Sequence, residues 1–326
     1  MTTWWHWAGF NLLVLVLLAF DLGVLHRKHR EVGVKESLWL SLGYFALAMG
    51  FAGIIFRFMG GQAGYEFLTG YLIEKSLSVD NIFVFVLIFG HFQVPARSQH
   101  TVLFWGVLGA LAMRAALILA GSAILSAFHW VIYLFGAFLV ATGVKMLLTV
   151  DQEPDLAGSA LTRFMRRHFR VTEDYEGERF TVVREGKRFI TPLLIVLALV
   201  EFSDVVFALD SIPAIFAITR DPFLVYTSNV FAILGLRALF FALTGVIHRF
   251  HYLKYGLSVV LVVIGAKMLI NGFFGPVIPT EAALLLTLAI LGGSVALSLV
   301  RTRGQDKASA PITGWVPGTP AKKDEE

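Results

Sequence analysis

Nine stretches of about twenty mostly apolar residues follow one another along the chain, separated by short polar segments. They lie near 5–25, 38–57, 67–90, 101–122, 128–149, 191–217, 224–247, 253–271 and 281–300. A helix needs roughly 20 such residues to cross the hydrocarbon of a bilayer. The pattern predicts an all-α polytopic membrane protein with about nine transmembrane helices. Between the fifth and sixth stretches lies a charged segment, 150–189, in which Arg179 to Phe189 alternates weakly around Glu185-Gly186. That alternation predicts a short hairpin outside the membrane. The tail 301–326 is rich in Gly, Pro, Lys and Glu and is expected to be disordered.

Three pairs of segments repeat at a separation of 122 to 124 residues. Ser-Val-Asp80 matches Phe-Ser-Asp204. Gly-Ala-Leu-Ala-Met-Arg114 matches Ala-Ile-Leu-Gly-Leu-Arg237. Gly143-Val-Lys-Met-Leu-Leu matches Gly265-Ala-Lys-Met-Leu-Ile. Each unit holds three helices, an odd number, so the second enters the membrane from the opposite side. The expected organisation is two N-terminal helices (1–66), a first three-helix unit (67–149), the charged loop (150–189), an inverted second unit (190–272), a ninth helix (273–300) and the tail (301–326). Inverted repeats are a common plan for secondary transporters, with the site near the midplane where the units meet.

Composition agrees with the pattern. Hydrophobic residues make up 57% of the chain and charged residues only 15%, and the mean hydropathy is +0.73. The chain has no cysteine, which excludes disulfides and thiolate metal ligands. The net charge of +4 sits in short runs between apolar stretches, not on one basic face, so no nucleic-acid partner is expected. With the N-terminus outside, twenty of the 27 Lys and Arg fall on the inner side, and only Arg57 and Arg220 fall on the outer side. No Lys or Arg precedes the first stretch, and Arg27, Lys28 and Arg30 follow it, so it reads as a retained helix, not a cleaved signal. The predicted orientation places the C-terminus on the inner, cytoplasmic side. Trp4, Trp5 and Trp7 read as an outer interfacial belt.

The chemistry lies in the acidic residues at membrane depth. The third stretch carries Glu74, Asp80 and Asn81; the sixth carries Glu201, Asp204 and Asp210. Each charge near a helix centre costs roughly 2.5–3.5 kcal/mol on insertion scales, so five carboxylates facing lipid would cost on the order of 12–18 kcal/mol. They must face protein or a wet cavity, and be paired, protonated or bound to a cation. Glu74, Ser78 and Asn81 share a helical face, with Asp80 at its rim; Glu201 and Asp204 share another. On a straight helix Asp210 lies opposite Glu201. A break at Asp210-Ser-Ile-Pro213 would free carbonyls and turn Asp210 toward the other acids.

Carboxylates, an amide oxygen and hydroxyls form a hard ligand set suited to Mn²⁺, Ca²⁺ or Mg²⁺. The metal candidates are Glu74, Asp80, Asn81, Glu201, Asp204 and Asp210, with Ser78, Ser211, Asn229, Arg114 and Arg237 as secondary candidates. The plainer alternative is an ion-pair network with Arg114, Arg237, Lys75, Lys145 and Lys267. Asp21 reads as a gate or a satisfied interfacial carboxylate, and Asn229 as a supporting donor or interhelical glue. Seven of the nine histidines fall on the inner side, where they act as a pH or metal sensor or simply occupy loop ends. Ser203 and Ser211 have no histidine placed to activate them, so no enzyme activity and no resident cofactor are expected.

Gly70-Tyr-Leu-Ile-Glu-Lys-Ser-Leu-Ser-Val-Asp-Asn81 and Val200-Glu-Phe-Ser-Asp-Val-Val-Phe-Ala-Leu-Asp-Ser-Ile-Pro-Ala214 resemble the signatures of the TerC family of integral membrane proteins, especially its Alx-type branch. Asp221-Pro-Phe, Thr227-Ser-Asn, Gly235-Leu-Arg-Ala-Leu and Lys254-Tyr-Gly256 extend the likeness over roughly residues 10–300. The resemblance implies metal homeostasis, chiefly manganese export, with Glu74, Asp80, Glu201, Asp204 and Asp210 as the functional acids. The family takes its name from tellurium resistance, yet midplane acids would repel an oxyanion. The alternatives are transport of Ca²⁺ or another cationic cargo, and a non-transport role as a metallation or assembly partner that docks a protein through loop 150–189.

Overall fold

The computed structural model describes residues 4–26, 34–128, 130–149, 160–244 and 251–302. Apolar runs become helices because a bilayer offers backbone groups no water, so each segment must satisfy its own. In chain order these are α1 (Trp4–His26), α2 (Val34–Phe58), α3 (Gly61–His91), α4 (Ala96–Ala127), α5 (Val131–Leu148), α6 (Ala160–His168), α7 (Pro192–Phe216), α8 (Pro222–Leu234), α9 (Leu236–Leu243), α10 (His251–Phe274) and α11 (Thr280–Thr302). The chain is an all-α polytopic membrane protein. Among the described residues, seven stretches are long and apolar enough to cross a membrane: α2, α4, α5, α7, α8 with α9, α10 and α11.

The other two expected spans do not qualify, for different reasons. The described apolar run of α1, Trp4–Phe20, is shorter than the rest. The 31-residue α3 is long enough, but Glu66, Glu74, Lys75 and Asp80 leave every eighteen-residue window with at least three charges. Its position answers the cost: α3 packs among α2, α7, α8 and α11. Leu15, Trp39, Leu285 and Val300 on the outer helices are exposed, as side chains facing lipid would be.

α5 and α10 form the most extensive helix pair. A Cβ built on Gly136 would lie 3.2 Å from the carbonyl of Gly265, and one on Gly265 would lie 2.8 Å from the carbonyl of Gly136. Seven residues along α5, a Cβ on Gly143 would lie 2.8 Å from the carbonyl of Ser258. The pair is therefore antiparallel, with backbones in direct contact through glycines. Gly143 and Gly265 are repeat equivalents, as are Gly136 and Ser258. The Gly143–Ser258 contact is thus the mirror of the Gly265–Gly136 contact, the reciprocity that two-fold-related surfaces require.

Two helix interruptions differ from expectation. α7 runs unbroken through Pro213 to Phe216, so the break expected at Asp210–Pro213 does not form. Proline removes one ladder donor and crowds the carbonyl four residues before it. The ladder resumes one turn later, with Ala217 N donating to Pro213 O at 3.0 Å. The interruption falls instead at Gly235, between α8 and α9. There Lys75 Nζ donates to the Ala232 carbonyl at 3.3 Å, and a Cβ on residue 235 would lie 2.9 Å from that ammonium.

The expected hairpin is present. β1 (Thr181–Arg184) pairs antiparallel with β2 (Lys187–Ile190), and Glu185 and Gly186 turn with φ of 51° and 72°, both positive as a two-residue type I′ turn needs. The segment rests on the α3–α4 turn. Tyr175 donates its hydroxyl to Phe92 O at 2.7 Å, and Arg97 Nε pairs with Glu178 at 2.6 Å. Burial pushes the Tyr175 phenol up to about 12, so it remains a neutral donor. Residues 150–159 of the charged loop and the tail from 303 lie outside the described residues, as do His29, His248 and the side chains of Asp21, His26 and His251.

The α5–α10 contact makes a direct prediction. Gly265→Ala forces a methyl against the Gly136 carbonyl and should lower stability by about 1–3 kcal/mol. Gly292→Ala, with nothing within 4 Å of its Cβ position, should stay within about 0.5 kcal/mol of wild type. Thermal unfolding in detergent reads both, and equal midpoints for the two variants would refute the contact.

Candidate functional site

Four helices meet around one guanidinium. Arg114 of α4 is 2% exposed, Glu74 of α3 is 0% and Asp204 of α7 is 3%. Arg114 grips Asp204 in a fork, from Nε to Oδ2 at 3.2 Å and from Nη2 to Oδ1 at 3.0 Å. Its Nη1 forms a short ion pair with Glu74 Oε1, and also donates to Asn229 Oδ1 of α8 at 2.9 Å and Ser211 Oγ of α7 at 3.3 Å. Asn229 Nδ2 donates to the second Glu74 oxygen at 3.3 Å. Asn81 Nδ2 donates to Asp204 Oδ1 at 3.1 Å. A planar, always-charged guanidinium suits this work, since it engages two carboxylates in fixed directions.

The sequence explains why these groups meet. Glu74, Ser78 and Asn81 lie on one face of α3, and all three are buried. Ser78 donates its hydroxyl to the Glu74 carbonyl at 2.8 Å, which ties it to its own helix. Small residues let the helices close. A Cβ on Gly106 of α4 would lie 3.1 Å from Val200 of α7, and one on Gly70 of α3 would lie 3.0 Å from Ser228 Oγ of α8.

Not all the sequence candidates join this cluster. Asp80 lies at the rim and faces Lys254 of α10, whose ammonium also sits 3.7 Å from the Phe83 ring centroid. Glu201 packs its carboxylate on Gly109 of α4, where no side chain fits. Asp210 faces Thr142 and Lys145 of α5. With α7 straight, Asp210 stays on the far side from Glu201, as the helical count requires. Arg237 of α9 is buried, 5% exposed, two residues past the Gly235 interruption. Reading the acids alone misses Gly109, Thr142 and the Lys75–Ala232 contact. Their only signal in the sequence is a polar or missing side chain inside an apolar run.

Chemically the cluster is unbalanced. Two buried carboxylates face one guanidinium within it, and the buried Asn81 Oδ1 has no hydrogen-bond donor. Its oxygens come from two carboxylates, two amides and the Ser211 hydroxyl, a hard set. Among the described residues no three His, Cys, Asp or Glu side chains already converge to hold a metal. Arg114 stands where their oxygens point.

Comparison with known proteins gives a consistent picture. Residues 59–306 match the model of a family described as "Integral membrane protein TerC family". The chain is 53% identical over 298 residues to "Uncharacterized membrane protein STKORF319" of Myxococcus xanthus, covering 91% of this chain and 92% of that one. It is 48% identical over 277 residues to the Escherichia coli K12 protein named "Putative membrane-bound redox modulator Alx", covering 82% and 86% respectively. The protein of the same name from Salmonella typhi is 45% identical over 303 residues, covering 90% and 92%. No solved structure matches the chain.

Removing Arg114 should expose the imbalance. Arg114→Met leaves two buried carboxylates without their cation and should cost about 3–5 kcal/mol. Adding Glu74→Gln and Asp204→Asn should recover most of that loss. Unfolding midpoints of the single and triple variants check this; an Arg114→Met protein as stable as wild type would contradict the network.

Proposed function

This chain belongs to the TerC family of integral membrane proteins, and we propose that it exports a hard divalent cation, Mn²⁺, from the cytoplasm of a bacterium across the inner membrane in exchange for protons. One observation carries the reading. The Glu74–Asp204–Arg114 cluster holds more negative charge than its one arginine balances, and beside it sits an amide oxygen without a donor. A cation arriving among Glu74, Asp204, Asn81, Asn229 and Ser211 finds oxygens already oriented by one guanidinium. It takes the place of that guanidinium, and Arg114 moves aside. Arg114 is then the internal counter-ion of the empty site, and cargo and arginine compete for the same oxygens.

The outlying acids line the approach. Asp80 feels the charge of Lys254, and Asp210 that of Lys145, in each case across the two repeat units, so a change between inward- and outward-open forms would alter both. Glu201 lies against Gly109, five residues before Arg114 on α4. Side chains on a helix lean toward its N-terminus, so Glu201 is within the sweep of a displaced guanidinium. Proton exchange follows because carboxylate oxygens bind either a proton or a metal. The E. coli and Salmonella relatives are named as redox modulators. This chain has no cysteine, so any redox effect of its own would not run through a dithiol–disulfide couple.

Vesicles loaded with Mn²⁺ test the reading. Asp204→Asn and Glu74→Gln should each cut efflux by at least about tenfold, the scale of losing roughly 1.4 kcal/mol in a bound transition state. Excess Ca²⁺ should compete weakly. Wild-type efflux in both variants would sink the proposed site, and equal competition by Ca²⁺ would change the cargo.

A further inference from the structure

α6 lies outside the membrane-spanning bundle and is fixed from one side only. Thr162 and Met165 are buried, and Met165 joins Phe89, Val94, Ile190 and Leu193 in the cluster at the ends of α3 and α7. Every other residue from Arg163 to Arg170 is exposed. Phe164 is 53% exposed and Phe169 is 50% exposed, interleaved with Arg163, Arg166, Arg167 and Arg170.

The four arginines differ from their neighbours. Arg97 pairs with Glu178 at 2.6 Å and Arg184 with Glu176. Among the described residues, none of the four on this face makes an ion pair. Among the described residues the face therefore carries four guanidinium groups without an ion-pair partner and two exposed phenyl rings, that of Phe164 lying 4.2 Å from the His168 ring. Its depth is set by the backbone. Ile190 N donates to Arg170 O at 2.9 Å, which fixes Arg170 beside the residue two before Pro192, where the membrane-crossing α7 begins. A surface that offers phosphates to guanidinium and hydrocarbon to phenyl, level with the end of a spanning helix, is the boundary of the bilayer itself.

We propose that α6 together with Arg170 binds the anionic phospholipid headgroups of the membrane this chain spans, on the side that carries the α3–α4 turn. The phenyl rings of Phe164 and Phe169 enter the headgroup boundary, and the arginines take the phosphates. Zwitterionic lipid supplies the hydrocarbon, but its own ammonium already neutralises its phosphate, so the surface discriminates by net headgroup charge. Attachment is intramolecular, since the spans hold α6 at the interface, and modest contacts suffice.

The chain lacks cysteine, so Ala160→Cys, an exposed α6 position that leaves both phenyl rings in place, carries a single environment-sensitive fluorophore in the full-length protein. In phosphatidylcholine vesicles containing brominated phosphatidylglycerol, its emission should be quenched, and salt should relieve the quenching. Arg→Gln changes at 163, 166, 167 and 170 should weaken the bound state roughly fivefold per charge removed. The fourfold Arg→Lys variant should retain it, which separates lost binding from lost fold. Equal quenching by brominated phosphatidylcholine alone, indifferent to salt and to Arg→Gln, overturns the proposal, as does no quenching in either lipid. A response to a soluble acidic polypeptide or RNA, with none to phosphatidylglycerol, also overturns it and assigns the surface to that partner.

Discussion

Two carboxylates cannot be carried into a lipid-embedded core without a cation to hold them, and the architecture around α3 follows from that requirement. In hydrocarbon each bare charge costs several kcal/mol, and in a protein interior an unpaired one costs as much or more. Arg114 meets the demand by reaching Glu74 and Asp204 together. It can do so only if α3, α4 and α7 approach closely and α8 supplies Asn229 to finish the coordination. Hence the small residues at the crossings, Gly70 and Gly106, and hence the burial of α3 behind a ring of other helices. A longer side chain at either glycine would push a helix outward and pull a carboxylate from its guanidinium.

The repeat is closely kept where it builds the scaffold and is broken where it meets the charges. α5 and α10 contact through equivalent pairs, Gly143 with Ser258 and Gly265 with Gly136. Around the site the equivalents diverge. α4 is continuous from Ala96 to Ala127, whereas its counterpart is interrupted at Gly235 into α8 and α9. Arg114 holds the acids, while Arg237 lies beyond that interruption. A transporter built from inverted units holds them in different conformations in any one state and exchanges those conformations as access alternates. On the export reading, the asymmetry between Arg114 and Arg237 is the form such a difference takes.

Much of this was legible from residues alone, and the exceptions have physical causes. Apolar length located the helices, positive φ at Glu185 and Gly186 matched the turn signal, and the helical count put Glu74, Ser78 and Asn81 on one face. Glu66, Glu74, Lys75 and Asp80 make α3 more charged than the other spans, because a helix buried among partners need not be apolar throughout. Pro213 was a poor guide to a break. Its missing donor falls in the last turn of α7, where the ladder has few bonds left to lose, so the helix tolerates it. Gly235 was the better position, but its meaning depends on Lys75, a residue 160 positions earlier whose ammonium uses the space and takes the Ala232 carbonyl. Long-range pairs of this kind leave no local periodicity. That Asp80, Glu201 and Asp210 face α10, α4 and α5 instead of one another is information held in packing, not in spacing.

Charge balance links the geometry to exchange. The cluster of Glu74, Asp204 and Arg114 carries one net negative charge when both acids are ionised. One added proton makes it neutral with the arginine in place. A divalent cation makes it neutral only if the arginine leaves. The two low-energy fillings of a poorly solvated core are therefore a proton with Arg114, or a divalent ion without it. A divalent ion together with Arg114 leaves a buried positive charge, and an empty deprotonated cluster leaves a buried negative one, and both are penalised. On the export reading, a site with two neutral fillings and two costly ones would bind metal and proton in alternation. The displaced guanidinium then needs a second acidic partner nearby, which is the place that Glu201 holds against Gly109.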